Sequence, residues 1–220
     1  YIYQKCTYIL FFFLHNKNRK MVIYMKKTKT LLKIFIFFVV FICILFSSIF
    51  IYIKLSPKLD LKKTNNITFY DKNNKVFYRG NGSKEWVKLK NIDKNLINAT
   101  ISVEDKRFYK HNGFDYIRIL KSVYNNMKNK NIVEGGSTIT QQYARNLYLD
   151  FDRNWSRKFK EAFLAMKMEI NYSKNEILEG YLNTINYGNG VLGIQNASKY
   201  YFNKDAKDLT LAEASMLAGI

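Results

Sequence analysis

The chain has 220 residues, with 36 Lys and Arg against 17 Asp and Glu, a formal charge of +19. That length suits one domain of ordinary size plus an appendage, and the charge calls for an anionic partner: nucleic acid, an anionic membrane surface or a phosphorylated substrate. Both cysteines, Cys6 and Cys43, fall in apolar N-terminal runs, which excludes a disulfide framework and a thiolate metal site from everything downstream.

The chain begins with Tyr1, and Met21 or Met25 reads as a plausible true start, so residues 1–24 are set aside from fold reasoning. Tyr8 to Leu14 is apolar but too short to span a bilayer. Between Lys17 and Lys33 there are seven Lys or Arg and no acids, and residues 34–53 form an uncharged run of 20 residues rich in Phe, Ile and Val. As a helix that run is about 30 Å long, the thickness of the hydrocarbon core. The basic flank places residues 1–33 on the cytoplasmic side and everything after Lys54 outside. A cleaved signal peptide competes, but the run is long for one and lacks a small-residue cleavage site, so a retained transmembrane helix is expected.

Ser56 to Asn66 is a polar linker that holds the only proline, Pro57. Ile67 to Tyr78 contains two short β-prone runs around a polar turn, a hairpin signal, and Trp86 to Leu89 is expected to add an edge strand. Residues 54–92 are therefore read as a linker and β-hairpin region. After Asp93 the pattern turns helical. Leu96 to Tyr109 reads as one helix, with Leu96, Ala99, Thr100 and Val103 as its apolar stripe. If that helix continues, Glu104, Phe108 and His111 share a face. A carboxylate beside an aromatic ring on a half-buried face is a candidate general base; the plainer alternative is a surface Glu at a charged helix end, with His111 structural. Phe114 to Met127 is amphipathic, with Tyr116, Ile119, Leu120 and Val123 apolar and Arg118 and Lys121 basic. It suits an anionic membrane surface or a place against the core.

Asn125 to Gly136 is a polar, glycine-ended loop, and it leads into Gly135, Gly136, Ser137, Thr138, Ile139, Thr140, Gln141 and Gln142. Thr138 and Gln141 form a capping box, so a helix starts there. Its N–H groups and dipole favour an anion, and Gln142 and Arg145 share one of its faces. An ordinary capped helix after a glycine turn is the bland alternative. Asn154 to Glu161 opens a helix that runs to Asn171, with Phe159, Phe163, Met166 and Ile170 expected to face the core. Arg157, Lys158 and Glu161 cluster on it, as a surface ion pair worth little or as a positive pocket wall with one carboxylate. Ser173 and Glu176 box the next helix, Lys174 to Ile185. The loop Tyr187 to Gly193 is glycine-rich but lacks the dinucleotide fingerprint after a strand. Thr210 and Glu213 cap a last helix, Leu211 to Leu217, and the chain ends at Ile220 inside an apolar helical pattern, so a cut domain is expected.

Five of these stretches carry a resemblance. Glu104, Asp105, Phe108, His111 and Gly113 look like the first signature of the family 51 glycosyltransferases, the peptidoglycan glycosyltransferases. Gly135 to Gln142 with Arg145 and Asn146 resembles the second, and Arg157 to Glu161 the third. Ile177 to Asn183, Gly188 to Gly193 and Ala197 to Phe202 resemble the fourth, and Leu209 to Ala218 the fifth. Arg145 stands where many members have lysine, with the positive charge kept. The Tyr70 to Leu96 lead-in is similar to that of class A penicillin-binding proteins, whose transpeptidase motifs, Ser-x-x-Lys and Lys-Thr-Gly, do not occur in these residues. A monofunctional glycosyltransferase fits as well.

The resemblance implies a mainly α, lysozyme-like two-lobed domain over residues 93–220, preceded by the hairpin region and one transmembrane helix. It implies polymerisation of lipid II into β-1,4-linked glycan by inverting transfer, with polyprenyl pyrophosphate released. Glu104 is then the general base and Glu161 the second catalytic carboxylate. Ser137, Thr138, Gln141, Gln142, Arg145, Arg157 and Lys158 bind substrate. The resemblance admits a divalent cation, Mg or Mn, on the pyrophosphate, with no metal site readable and no other cofactor. The expected partners are lipid II, the growing glycan, the bilayer and proteins of cell-wall synthesis or division, with no nucleic acid. Two rivals stay open. A lysozyme-like enzyme that cleaves peptidoglycan would use the glutamate as an acid, but finished glycan has no pyrophosphate for the cations to meet. A non-catalytic membrane-anchored scaffold would explain the charge alone, but gives no reason for both Glu104 and Glu161.

Overall fold

A computed structural model describes residues 2–61, 68–73, 75–79, 85–131, 133–149 and 154–220, with only the backbone for residues 2–27 and for the two strands. Residues 62–66 of the expected linker, Ile67, and Asn74 of the expected turn lie outside the described residues. The chain divides into two units, Tyr1–Ser56 and Pro57–Ile220.

The first unit is one helix, α1 (Ile2–Leu55). It is longer than the 34–53 segment read from hydropathy, because residues 2–55 contain no Pro or Gly to interrupt it. It stops two residues before Pro57, as a chain approaching proline tends to. Its Thr28–Leu55 portion, whose most apolar 18-residue window has mean hydropathy 3.2, is long and apolar enough to cross a membrane.

The second unit is mostly helical. It opens with an antiparallel pair, β1 (Thr68–Tyr70) and β2 (Val76–Arg79), in which Phe69 faces Tyr78. Asp71 Oδ1 closes the turn by accepting the N–H groups of Asn73 and Lys75, each at 2.8 Å. Trp86 to Leu89 is not the edge strand that its composition suggests. Its polar groups are met by helix side chains instead: Val87 exchanges two 2.9 Å bonds with the Asn183 amide, and Trp86 Nε1 and Leu89 N donate to the Glu179 carboxylate at 2.8 Å.

Seven helices follow among the described residues: α2 (Lys94–Glu104), α3 (Tyr116–Asn129), α4 (Ile139–Tyr148), α5 (Trp155–Asn171), α6 (Lys174–Thr184), α7 (Ile194–Phe202) and α8 (Leu211–Ala218). The expected capping boxes are all formed, at Thr138, Ser173 and Thr210. α4 packs on α5 and α6, and α2 packs on α8. Leu96, Ile139, Tyr143, Met168, Leu178 and Leu182 are fully buried between them.

Three helices depart from the sequence reading. α2 ends at Glu104 rather than Tyr109, because the next residue, Asp105, turns its carboxylate inward to other partners; Phe108 to Lys110 is a separate 3-10 turn. Glu104 and His111 therefore share no helix face, and Val103 is exposed rather than in the stripe. On α5, Phe159 is 73% exposed, while Phe163, Met166 and Ile170 are half-buried. The buried stripe is Glu161, Ala165 and Met168. An apolar count misses it because one member is a carboxylate, buried with its cations. α3 is largely inside out: Tyr116, Ile117, Leu120, Val123, Tyr124 and Met127 are exposed, whereas Ser122 is buried, and Arg118, Ser122 and Asn126 donate from the inward face to the carbonyls of Gly135 and Glu134. The core-facing alternative thus fails for Tyr116, Leu120 and Val123, while Ile119 is half-buried, and Arg118 is not part of a solvated basic face.

Three tyrosines hold the start of this unit. Tyr172, Tyr148 and Tyr143 donate from their hydroxyls to the successive carbonyls of Leu59, Asp60 and Leu61. Tyr143 reaches Leu61 only because residue 180 is glycine. A Cβ on Gly180 would meet the Tyr143 hydroxyl at 2.0 Å and ring carbons at 2.5 and 2.8 Å. Gly180→Ala gains up to about 1 kcal/mol of helix propensity but forces overpacking that costs about 1–3 kcal/mol. The expected outcome is a lower melting temperature in detergent; an unchanged or higher one would show that the Tyr143 ring moves aside freely.

Candidate active site

α4 and the loop before it join two groups of polar side chains. The first lines a cleft of about 250 Å³ that contains Glu104, Gln142, Arg145, Asn146, Tyr181 and Tyr187. Glu104 is the last residue of α2. Its Oε2 accepts a 2.7 Å bond from Gln142 Nε2, and the Tyr181 hydroxyl donates to Gln142 Oε1 at 3.2 Å. These two bonds fix the Gln142 amide, with its NH₂ toward the carboxylate. Among the described residues no protein group donates to Glu104 Oε1. Arg145 lies on the same face of α4 as Gln142 and lines the same cleft, with no carboxylate in ion-pair range among the described residues. The cleft thus offers a carboxylate with a free oxygen opposite an uncommitted cation.

The second group surrounds Glu161, which is fully buried. Its Oε2 accepts from Arg157 Nη1 at 3.0 Å and its Oε1 from Lys158 Nζ. Lys158 Nζ also donates to Ser137 Oγ at 3.1 Å. A buried carboxylate with both oxygens on cationic donors is a satisfied one. The Lys158 side chain is 42% exposed, so its ammonium is open to solvent while it holds Glu161. One face of α5 therefore presents a fixed, oriented cationic patch that an incoming anion can reach.

The α4 N-terminus itself is closed. Thr138 N donates to Gln141 Oε1 (3.0 Å), Gln141 N to Thr138 Oγ1 (3.2 Å), Thr138 Oγ1 to Gly113 O (2.7 Å), and Ile139 N to Asp105 Oδ2 (3.1 Å). Thr138 and Gln141 are buried. The sequence places both among the substrate-binding residues; the structure buries them and engages Thr138 N–H, Thr138 Oγ1, Gln141 N–H and Gln141 Oε1 in building the helix start. Beside this terminus, Ser137 and Lys158 are only partly buried.

Asp105 was legible as part of a motif but not as a cap, since its partner Ile139 lies 34 residues on. It also accepts from His111 Nε2, 3.0 Å from each oxygen, which gives His111 the structural role that its spacing allows. Asp105, His111 and Asp115 bring ligand-type atoms within 4.8 Å of one another. They do not fit a resident divalent ion. Asp115 is held by the Arg107 guanidinium, whose hydrogen bond brings its carboxyl down to about 2, and it also takes Arg118 N–H at 2.7 Å. Asp105 is committed to His111 and Ile139, and Glu161 to its two cations. Tyr181, Asn146 and Tyr187 are cleft residues that the sequence reading gave no role. Burial pushes the Tyr187 phenol well above its ordinary range, and among the described residues its hydroxyl has no partner.

Comparison with known proteins matches residues 72–220 to the transglycosylase family profile. The chain is similar to penicillin-binding protein 2D of Bacillus subtilis, 51% identical over 155 residues, which are 66% of this chain and 22% of that protein. It is similar to penicillin-binding protein 1A of Clostridium acetobutylicum, 42% identical over 188 residues, or 78% of this chain and 23% of that one. It also resembles the biosynthetic peptidoglycan transglycosylase of Haemophilus influenzae, 46% identical over 135 residues, or 61% of this chain and 55% of that one. The chain thus spans under a quarter of the two penicillin-binding proteins and about half of the third relative.

Proposed function

The chain belongs to the transglycosylase family, and we propose that it polymerises lipid II into β-1,4-linked glycan by inverting transfer. The growing chain is the donor, its reducing-end sugar joined through pyrophosphate to a polyprenyl lipid. The 4-hydroxyl of the acceptor attacks the anomeric carbon from the face opposite the leaving group. Glu104 takes the hydroxyl proton as the new C–O bond forms, because a sugar alcohol is a poor nucleophile without a base. The anomeric C–O bond to phosphate breaks, and its electron pair leaves with the lipid pyrophosphate. Arg145, Arg157 and Lys158 offset the charge that develops there, and Ser137 and Gln142 position the phosphate and the sugar. Glu161 orients the two α5 cations.

The observation that carries this reading is the Ser137–Lys158–Glu161–Arg157 group, joined through α4 to the Glu104 cleft. Cleavage of finished glycan would leave such a patch without an anion to meet, and a scaffold would need no base with a free oxygen. Where Mg²⁺ or Mn²⁺ takes part, it arrives on the substrate pyrophosphate, since Asp105, Asp115 and Glu161 are engaged by protein donors. The proposed organisation keeps residues 1–33 as a cytoplasmic tail, residues 34–53 of α1 as the anchor, and a catalytic region outside the membrane; the family match from residue 72 extends that region to include β2 but not β1. The outward apolar face of α3 suits contact with the bilayer that carries the substrate.

The test is product length from labelled lipid II, with the complete reading frame in detergent. Long glycan is the expected product. Shortening of preformed glycan, with none made, would select the hydrolase instead.

A further inference from the structure

We propose that Arg118 is a positioning residue for Glu104, because its guanidinium ties the end of the helix that carries the base to the loop that presents Ser137. The inference rests on the polymerase reading above. Glu104 is the last residue of α2, and its carbonyl is one of those a helix leaves without an internal partner. Arg118 Nη1 donates to that carbonyl, and Arg118 Nε donates to the carbonyl of Gly135 at 3.2 Å. A guanidinium presents its donors in a rigid plane, so the two carbonyls are fixed relative to each other and not merely satisfied.

The root of Arg118 is fixed as well. Its backbone N–H donates to Asp115, which the Arg107 side chain holds in turn. Arg118, Ser122 and Asn126 are spaced i, i+4, i+8 along the inward face of α3. Ser122 Oγ donates to Glu134 O at 2.8 Å, Asn126 Nδ2 to the same carbonyl at 3.1 Å, and Asn126 Oδ1 accepts from Val133 and Glu134 N–H. All three residues hold the 133–135 loop, but of the three only Arg118 also reaches Glu104. That difference separates a positioning role from simple loop anchoring.

The experiment compares the full chain in detergent with Arg118→Ala, Arg118→Lys and Ser122→Ala, in steady-state polymerisation of lipid II and in amide hydrogen exchange. Misplacing a catalytic group by about 1 Å costs on the order of 100-fold in rate. Arg118→Ala is expected to lower kcat by about that factor with KM little changed. Arg118→Lys keeps the charge but reaches one carbonyl at a time, and should fall between the two. Ser122→Ala loosens the same loop without touching Glu104 and should stay near the parent. Parent-level kcat in Arg118→Ala or Arg118→Lys overturns the proposal, as does an equal loss in Arg118→Ala and Ser122→Ala. If Arg118→Ala does not fold, Arg118→Lys is read alone by the same criterion. A parent that makes no glycan defeats the polymerase reading, and hydrogen exchange then decides the tie by itself. The Asp105 amide, bonded to Ile101 O at 3.0 Å in the last turn of α2, should exchange faster in both Arg118 variants than in Ser122→Ala; equal rates overturn the tie.

Discussion

Glu104→Gln is expected to reduce lipid II polymerisation by about 10²- to 10⁴-fold, the usual contribution of a positioned general base. The substitution keeps the shape and one carbonyl oxygen, which can still accept from Gln142 Nε2, so the 2.7 Å bond that orients this corner of the cleft survives. What it removes is the free oxygen able to take a proton. The melting temperature should therefore stay close to that of the parent, and lipid II should still bind, because the cations proposed to meet its pyrophosphate lie on α4 and α5. Loss of turnover with retained folding and retained binding assigns the base. Near-parent turnover would remove Glu104 from that role and turn attention to another acceptor in the cleft.

The sequence carried the helices that depend on local chemistry. Capping boxes at Thr138, Ser173 and Thr210 are set by residues three apart, and all three formed where their spacing puts them. The pairing of Gln142 with Arg145 on one face was legible for the same reason. Long-range bonds were not. Asp105 ends α2 by bonding to Ile139, and Glu179 and Asn183 take the backbone of residues 87–89 away from any strand. No window of neighbouring residues contains those partners. α5 was misjudged, and the core-facing alternative for α3 failed, because apolar periodicity assumes that apolar means inward. On α5 the buried stripe includes a carboxylate that brings its own cations, and on α3 the inward face is built from an arginine, a serine and an asparagine. Motif resemblance marked Glu104, Lys158, Glu161, Thr138 and Gln141 alike as site residues; it carried no sign that Thr138 and Gln141 are buried in the capping box of α4.

Lys158→Ala is expected to cost about 10²- to 10³-fold in turnover, the loss seen when one preorganised donor to a developing anion is removed. Lys158 is the most exposed of the three groups joined at Glu161, and its ammonium bridges the buried carboxylate to Ser137 Oγ. Removing it takes away a cation and frees the hydroxyl, but Arg157 still pairs with Glu161 at 3.0 Å. The fold should therefore hold, in contrast to truncation of Glu161, which strands two cations around a buried vacancy and is strongly destabilising. Lys158→Arg keeps the charge but changes a compact ammonium into a planar fork, so partial activity is expected. The discriminating measurement is kcat with lipid II for Lys158→Ala and Lys158→Arg beside their melting curves. A large loss in the first, partly recovered in the second at equal stability, ties the charge to the departing pyrophosphate. Full activity in Lys158→Ala would instead leave that charge to Arg145 in the Glu104 cleft.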